Sequence, residues 1–418
     1  VEVKMKVLGL ITEYNPFHYG HKYHLQKSLE VTGASHTIAI MSGSFVQRGE
    51  PSLVDKWTKA KMAIANGIDL VIELPFVYST QSAELFALGG IKVMDSLEIV
   101  DYVCFGSESG SLEPLNHIAE ILVKEPESYK SKLKGYLDLG MSFPSARSRA
   151  LIDFLNLKPS IAYDYESILK ESNNILAIEY LKALKVINSN IIPLTIQRQG
   201  SAYKDENINH TLSSATAIRR SILNKGLGSV KELLPEATYD LLADFYSKYR
   251  SFNDLDNYLA VLKYLLLVKE KDSLKSILDM EDGLENRLVE KSFEARGVKD
   301  LVQEVSTKRY PKTRIQRILV HLLNQLNGHK IRSLYSQEVP YIRFLAANEK
   351  GLDLLSHIKN KSYVPIISKF SHYKDLRNPL VNEFILYEKR ATDIYFLPFS
   401  TKYKSNNMDY LTSPFIKK

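Results

Sequence analysis

The sequence predicts an α/β fold: a parallel sheet flanked by helices, followed by a mainly helical, basic C-terminal region. Three observations carry this. Over the first 110 residues four short β-type runs, KVLGLIT, HTIAIMS, DLVIEL and DYVCFG, alternate with helix-like segments, which is the order of βαβ units. After about residue 225 the apolar spacing is chiefly helical. Charge divides the chain in the same sense: residues 1–225 hold 24 Lys+Arg against 24 Asp+Glu, whereas residues 291–418 hold 23 against 11.

Taken in order, KVLGLIT is a strand, and HKYHLQKSLEV is a helix that Gly33 closes. HTIAIMS is the second strand. The helix DKWTKAKMAIANG ends at Gly67, and its Lys56, Lys59 and Lys61 read as a solvated face rather than as phosphate ligands. DLVIEL, the helix QSAELFALGGIKVMDSL and the strand DYVCFG follow, with Cys104 a core residue rather than a nucleophile. From 114 to about 186 the spacing predicts helices. IIPLTIQRQ then predicts a last strand, and LSSATAIRRSIL a helix opened by serines, whose hydroxyls suit an N-cap. One domain therefore covers residues 1–225, with KGLGS (225–229) as the boundary. In residues 226–418, VKELLPEATYDLLADFY, LDNYLAVLKYLLLVK and TRIQRILVHLLNQL predict helices, while YIRFLAA and VPIIS suggest strands of a small C-terminal unit.

The chain has 418 residues, 44% hydrophobic and 25% charged, enough for a sizeable core. No apolar run approaches the roughly 18 residues of a membrane span, so no membrane partner is expected. No secretory signal is expected ahead of residue 5. A single cysteine excludes an intrachain disulfide and a Cys-rich zinc site, and it suits a reducing cytoplasm, the expected location.

In an open parallel sheet, ligands bind at the carboxyl ends of the strands. The segment ITEYNPFHYGHKYHL (11–25) sits there, directly after the first strand. A helix starting near His18 presents free N–H groups and a positive dipole end, which favour an anion. His18 and His21 lie one turn apart and share a face. Gly20 between them leaves room for a phosphate to approach. As an isolated H-x-x-H this would more often be a surface pair, and no partner at ligand spacing supports a metal.

NPFHYGH after a first strand resembles the H-x-G-H motif of the nucleotidyltransferase superfamily, Rossmann-like enzymes that bind ATP and transfer AMP with release of pyrophosphate. That resemblance implies catalytic roles for His18 and His21 in holding phosphates during attack at the α-phosphorus. The position ahead of the proline, usually aspartate, is Asn15 here. LSSATAIRR resembles the second superfamily motif and supplies Ser214, Thr216 and Arg219 at a helix start, where N–H groups, hydroxyls and a guanidinium would hold pyrophosphate. More of the chain, EYNPFHYGHKYHL, SGSFVQRGEPSLVDKWTKAKMA, DLVIELP, CFGSE and SNNILAIEYLKAL, is similar to the bacterial tRNA(Met) cytidine acetate ligases. These segments span most of residues 7–225.

The family resemblance implies a two-step ligase. ATP and acetate give acetyl-adenylate and pyrophosphate, and the acetyl group passes to N4 of the wobble cytidine of elongator tRNA(Met). It places ATP against Ile11, Thr12, Glu13, Tyr14, Asn15, Pro16, Phe17, His18, Tyr19, Gly20, His21, Lys22, Tyr23 and His24, then Gly106, Asn174 and Arg198. Each of the last three has a plain alternative: a turn after a strand, a helix cap shared with Asn173, a residue at a strand end. Mg²⁺ is expected with ATP, although no metal-ligand motif is visible. Tyrosines among the basic residues of KRYPKTRIQR (308–317), HKIRSLY and YKDLR suit a single-stranded RNA loop. QRQGSA (197–202) fits an acetyl-CoA-binding pattern by accident, since a polar segment rather than a helix follows it. Two other readings stay open: a small-molecule adenylyltransferase, and an RNA-binding factor with a degenerate nucleotide site.

Overall fold

A computed structural model describes residues 5–156, 163–198, 213–399 and 406–418. QRQGSA falls mostly outside them. The strands are β1 (Val7–Thr12), β2 (His36–Ser42), β3 (Phe45–Val46), β4 (Glu50–Pro51), β5 (Leu70–Leu74), β6 (Tyr102–Ser107), β7 (Ile192–Gln197), β8 (Ile342–Ala347), β9 (Ile366–Ile367) and β10 (Phe415–Ile416). Parallel pairing gives β5-β2-β1-β6-β7, a doubly wound core in which Leu10 faces Ala39 and Gly106 faces Ile196. Leu8, Leu10, Ile38, Ile40, Leu70 and Ile72 are all buried, as a sheet covered on both faces requires. Helices Leu112–Lys124, Glu127–Asp138, Phe143–Leu155 and Ser172–Val186 fill the interval before β7, as the spacing predicts.

The later strands do not form a separate small unit. β8 pairs antiparallel with β5, Val71 opposite Ala346, and β9 and β10 pair with β8, so the sheet has eight strands. The physical reason is the outer edge of β5. All five of its residues are buried, and its free N–H and C=O groups need a partner that β8, itself wholly buried, supplies.

Helix α1 is Tyr19–Thr32, closed by Gly33 in the left-handed conformation (φ 58°). Helix α2 is Lys56–Ala65. Its Lys56 and Lys59, expected on a solvated face, are completely buried. Lys56 Nζ lies 2.7 Å from Glu73 on β5, 2.8 Å from Asp409 and 3.4 Å from Glu388 on helix Pro379–Tyr395. Arg343 on β8 completes the cluster, 3.0 Å from Glu73 and 2.8 Å from Asp409. Burial beside Glu73 holds the Glu388 carboxyl well above the usual range. Two cations thus face three carboxyls, of which Glu388 is the one that burial pushes toward its neutral form. The local spacing of α2 carries no trace of acids more than 300 positions away, which is why the solvated reading fails. At Gly49 (φ 81°) an added Cβ would lie 2.3 Å from the Arg317 nitrogen, so the loop between β3 and β4 packs backbone to backbone on helix Lys312–Leu323.

Candidate active site

From β1 the chain winds to β2 on one side and returns to β6 on the other, so the carboxyl ends of β1 and β6 flank the switch point where α/β sheets take ligands. His18 is the N-cap of α1. Its Nδ1 accepts from the Gly20 N–H at 3.0 Å, and the His18 N–H donates back to His21 Nδ1 at 3.3 Å. This reciprocal cap has a chemical consequence. With both Nδ1 atoms accepting from the backbone, each neutral ring carries its proton on Nε2. The rings stack with centroids 3.8 Å apart. Burial, followed by the nearby Arg198 and Arg219 guanidiniums, pushes His18 down to about 3. Burial likewise carries His21 well below the usual histidine range and His24 to about 4. At neutral pH the pair is therefore a set of uncharged N–H donors. Gly20 has a nearer purpose than room for phosphate: an added Cβ would meet His18 Cε1 at 2.8 Å.

The other residues of 11–24 divide by what they touch. Ile11 packs on Gly90, and Thr12 ends β1. Glu13 Oε1 accepts from the Gln47 N–H at 2.8 Å. Tyr14 is buried with its ring 4.8 Å from Phe17 and 5.0 Å from His21. Asn15, joined to Pro16, accepts the Leu53 N–H at 2.8 Å. These side chains spend themselves on shaping the loop. Tyr19, Lys22, Tyr23 and His24 lie on the first turns of α1.

Arg198, just after β7, lies against Gly106, the penultimate residue of β6. An added Cβ there would be 3.0 Å from Arg198 Cγ, so the glycine lets Arg198 cross the strand end toward the imidazoles. Asn174 is buried and turned inward: Oδ1 accepts from Ser109 N at 3.0 Å, and Nδ2 donates to Ile168 O at 3.2 Å. Glu108 accepts the N–H groups of Asn173 and Asn174, so it, rather than either asparagine, caps that helix. Asn174 thus fixes the loop after Gly106 at one remove. Sequence reasoning missed Lys59, whose Nζ donates to Ser42 O (2.7 Å) and Glu13 O (3.2 Å) and so ties the ends of β1 and β2 together. Burial lowers it to about 7.

The second motif meets the first. Ser214 caps helix Ala215–Lys225, its Oγ accepting from Ala217 N at 3.2 Å, and Thr216 is exposed on the first turn. Arg219 donates from Nη1 to Asn15 O at 3.0 Å and from Nη2 to Glu50 Oε2 at 2.8 Å. Groups 200 positions apart therefore converge beside one loop. Among the described residues no group of three His, Cys, Asp or Glu side chains is arranged to hold a metal ion, and no helix is long and apolar enough to cross a membrane.

A family model described as HIGH Nucleotidyl Transferase matches residues 5–409. A tRNA(Met) cytidine acetate ligase of Thermoanaerobacter sp. (strain X514) is 46% identical over 396 residues, 94% of this chain and 96% of that protein. The chain belongs to this ligase family. A second family member, from Clostridium perfringens (strain SM101 / Type A), is 42% identical over 417 residues, 99% of this chain and the whole of that protein. Two crystal structures of Thermotoga maritima TmcAL superpose with TM-scores of 0.92. The apo form is 35% identical, covering 99% of each chain. The form bound with alpha-thio ATP is 34% identical, covering 99% of this chain and all of that one.

The basic segment 308–317 is less free than its composition suggests. Glu281 accepts from Arg309 (2.9 Å), Arg314 (2.6 Å) and Tyr310 (2.9 Å), and both guanidiniums lie over the Tyr310 ring at 5.4 Å. Lys308 and Lys312 remain exposed.

Proposed function

We propose that the chain is an ATP-dependent tRNA acetate ligase. Acetate and ATP give acetyl-adenylate and pyrophosphate; N4 of the wobble cytidine of elongator tRNA(Met) then attacks the acyl carbon, the bond to the phosphate oxygen breaks, and AMP and a proton leave. The observation that carries this is the meeting of His18 and His21 with Arg219 at the switch point. Acetate alone would have to expel oxide, whereas the adenylate expels a phosphate. The proton held on each Nε2 makes His18 and His21 donors to the α-phosphate as charge grows there, and neutrality spares the site a proton exchange at working pH. Arg198 and Arg219, with the N–H groups at the start of helix Ala215–Lys225, take the leaving pyrophosphate. Thr216 joins them, Ser214 acts through its cap, and Asn174 acts through the loop it holds.

Mg²⁺ enters as the ion carried on the ATP phosphates, because the described side chains offer no resident site for it. Residues 1–225 serve the nucleotide and residues 226–418 serve the RNA in this reading, with Lys308 and Lys312 as phosphate contacts. The match to the ligases runs through the C-terminal region as well, and no observation favours a small-molecule adenylyltransferase. The test is pyrophosphate release from ATP with and without acetate, then mass analysis of tRNA nucleosides. Acetate-dependent release and N4-acetylcytidine are expected. Product formed from acetyl-CoA without ATP would overturn the scheme.

A further inference from the structure

Arg219 has a second side. Beyond it lies a cavity of about 550 Å³ built from both parts of the chain. One end is polar: the Glu50 carboxylate, already bound to Arg219, accepts a long contact of 3.4 Å from Gln316 Nε2. The rest of the lining is mixed: Val302 and the half-exposed Leu223 are apolar, and Asp254, Lys299 and Arg220 are charged. Lys312, exposed in the basic segment, also lines the cavity. The wall shared with the nucleotide edge is Arg219 itself, whose other nitrogen holds the carbonyl of Asn15, three residues from His18.

We propose that this cavity receives the acceptor cytosine, with Glu50 accepting a hydrogen bond from its N4 amine beside the Arg219 wall. The inference rests on the ligase reading and gives its second substrate a place. A carboxylate is the acceptor that suits the amino edge of cytosine, whereas the O4 of uracil at that position would meet it as a second acceptor. The apolar part of the lining suits the face of a base turned out of a loop, and Lys312 suits its backbone phosphate. The Glu50–Arg219 pair performs two tasks at once. Arg219 faces the nucleotide edge, and Glu50, fixed by Arg219, holds the amino edge of the base.

The test uses the full chain and reads both steps. Leu223→Trp fills the cavity from a half-exposed position, and the ratio of tRNA acetylation to acetate-dependent ATP–pyrophosphate exchange is expected to fall by at least about 100-fold. An unchanged ratio would sink the cavity assignment. The second variant, Glu50→Gln, is judged by discrimination. Anticodon stem-loops with cytidine or uridine at the wobble position compete for binding, and the preference for cytidine is expected to narrow by about tenfold. A preference as strong in Glu50→Gln as in the parent removes Glu50 from recognition. Absence of acetate-dependent exchange in the unaltered chain would overturn the ligase reading itself, an outcome distinct from both.

Discussion

Where β1 and β6 end, the buried His18 and the partly covered His21 and His24 sit beside two guanidiniums, and desolvation holds the imidazoles neutral. Where β5 ends, two cations and three carboxyls are buried together, and Lys56 and Arg343 are held more firmly charged than usual. Both regions lie along one edge of one sheet. The second satisfies its charges within the chain. The first leaves a surplus of N–H donors and positive potential facing the switch point, which is what an anionic ligand completes. The contrast separates a structural ion cluster from a binding site without appeal to the identity of either.

The contrast breaks most visibly if one partner is taken from each side. Arg343→Met leaves Glu73 and Asp409 with a single cation and is expected to lower stability by about 3–5 kcal/mol, the usual consequence of stranding a buried charge. Denaturant midpoints measure it, and a loss below 1 kcal/mol would show that the cluster relaxes. His21→Asn is expected to do the reverse. It removes one donor from the developing charge and should slow acetate-dependent pyrophosphate exchange by about 10²–10³-fold, with a stability change near 1 kcal/mol because only part of the α1 cap is lost. If stability falls as far as in Arg343→Met, the two regions are alike and His21 is structural.

How much of this was legible in the sequence follows the same line. The helix start near His18 and the face it shares with His21 are read directly because they are set within four residues, whereas the reciprocal cap, and the clash with His18 that Gly20 avoids, need the fold. Ser214 and Arg219 are also local to one helix start, and only the meeting of Arg219 with Asn15 needs the fold. Lys56 and Lys59 misled because the helical pattern of α2 does not encode what covers it; the carboxyls that bury Lys56 arrive from residues 388 and 409. The place of β8 was lost for the same reason, since an apolar run does not state which edge it will cover. Asn174 points at Ser109 and Ile168 instead of outward because Glu108 had already taken the cap.

A smaller effect sharpens the neutral side of the comparison. The folded His24 titrates near 4, below its unfolded value near 6.5. As pH falls between those values the unfolded chain gains a proton that the folded chain refuses, so stability present above 6.5 is progressively lost, at about 1.4 kcal/mol per pH unit for each such group. His18 and His21 act in the same sense, and the raised Glu388 opposes them above its unfolded value. The variant His24→Asn isolates one group. Its stability-against-pH curve between pH 6 and 5 should be flatter than that of the parent by about 1.4 kcal/mol per unit. Parallel curves would mean that His24 is protonated in the fold.

The smallest effect concerns the RNA side, where charge is again divided between groups that the chain consumes and groups that it leaves free. Replacing Lys308, Arg309 and Lys312 with glutamine should weaken tRNA binding while the affinity for ATP serves as the control. Three lost charges do not mean three lost phosphate contacts, because Arg309 is already committed to Glu281 and Tyr310. The salt dependence of binding should therefore fall by about two contacts, roughly 0.7 in log–log slope for each single-stranded phosphate. A loss of three would show that RNA pulls Arg309 off Glu281. An equal loss of ATP affinity would show that the basic segment acts on the nucleotide edge through Gln316 and Glu50, and the separation of the two halves would fail there.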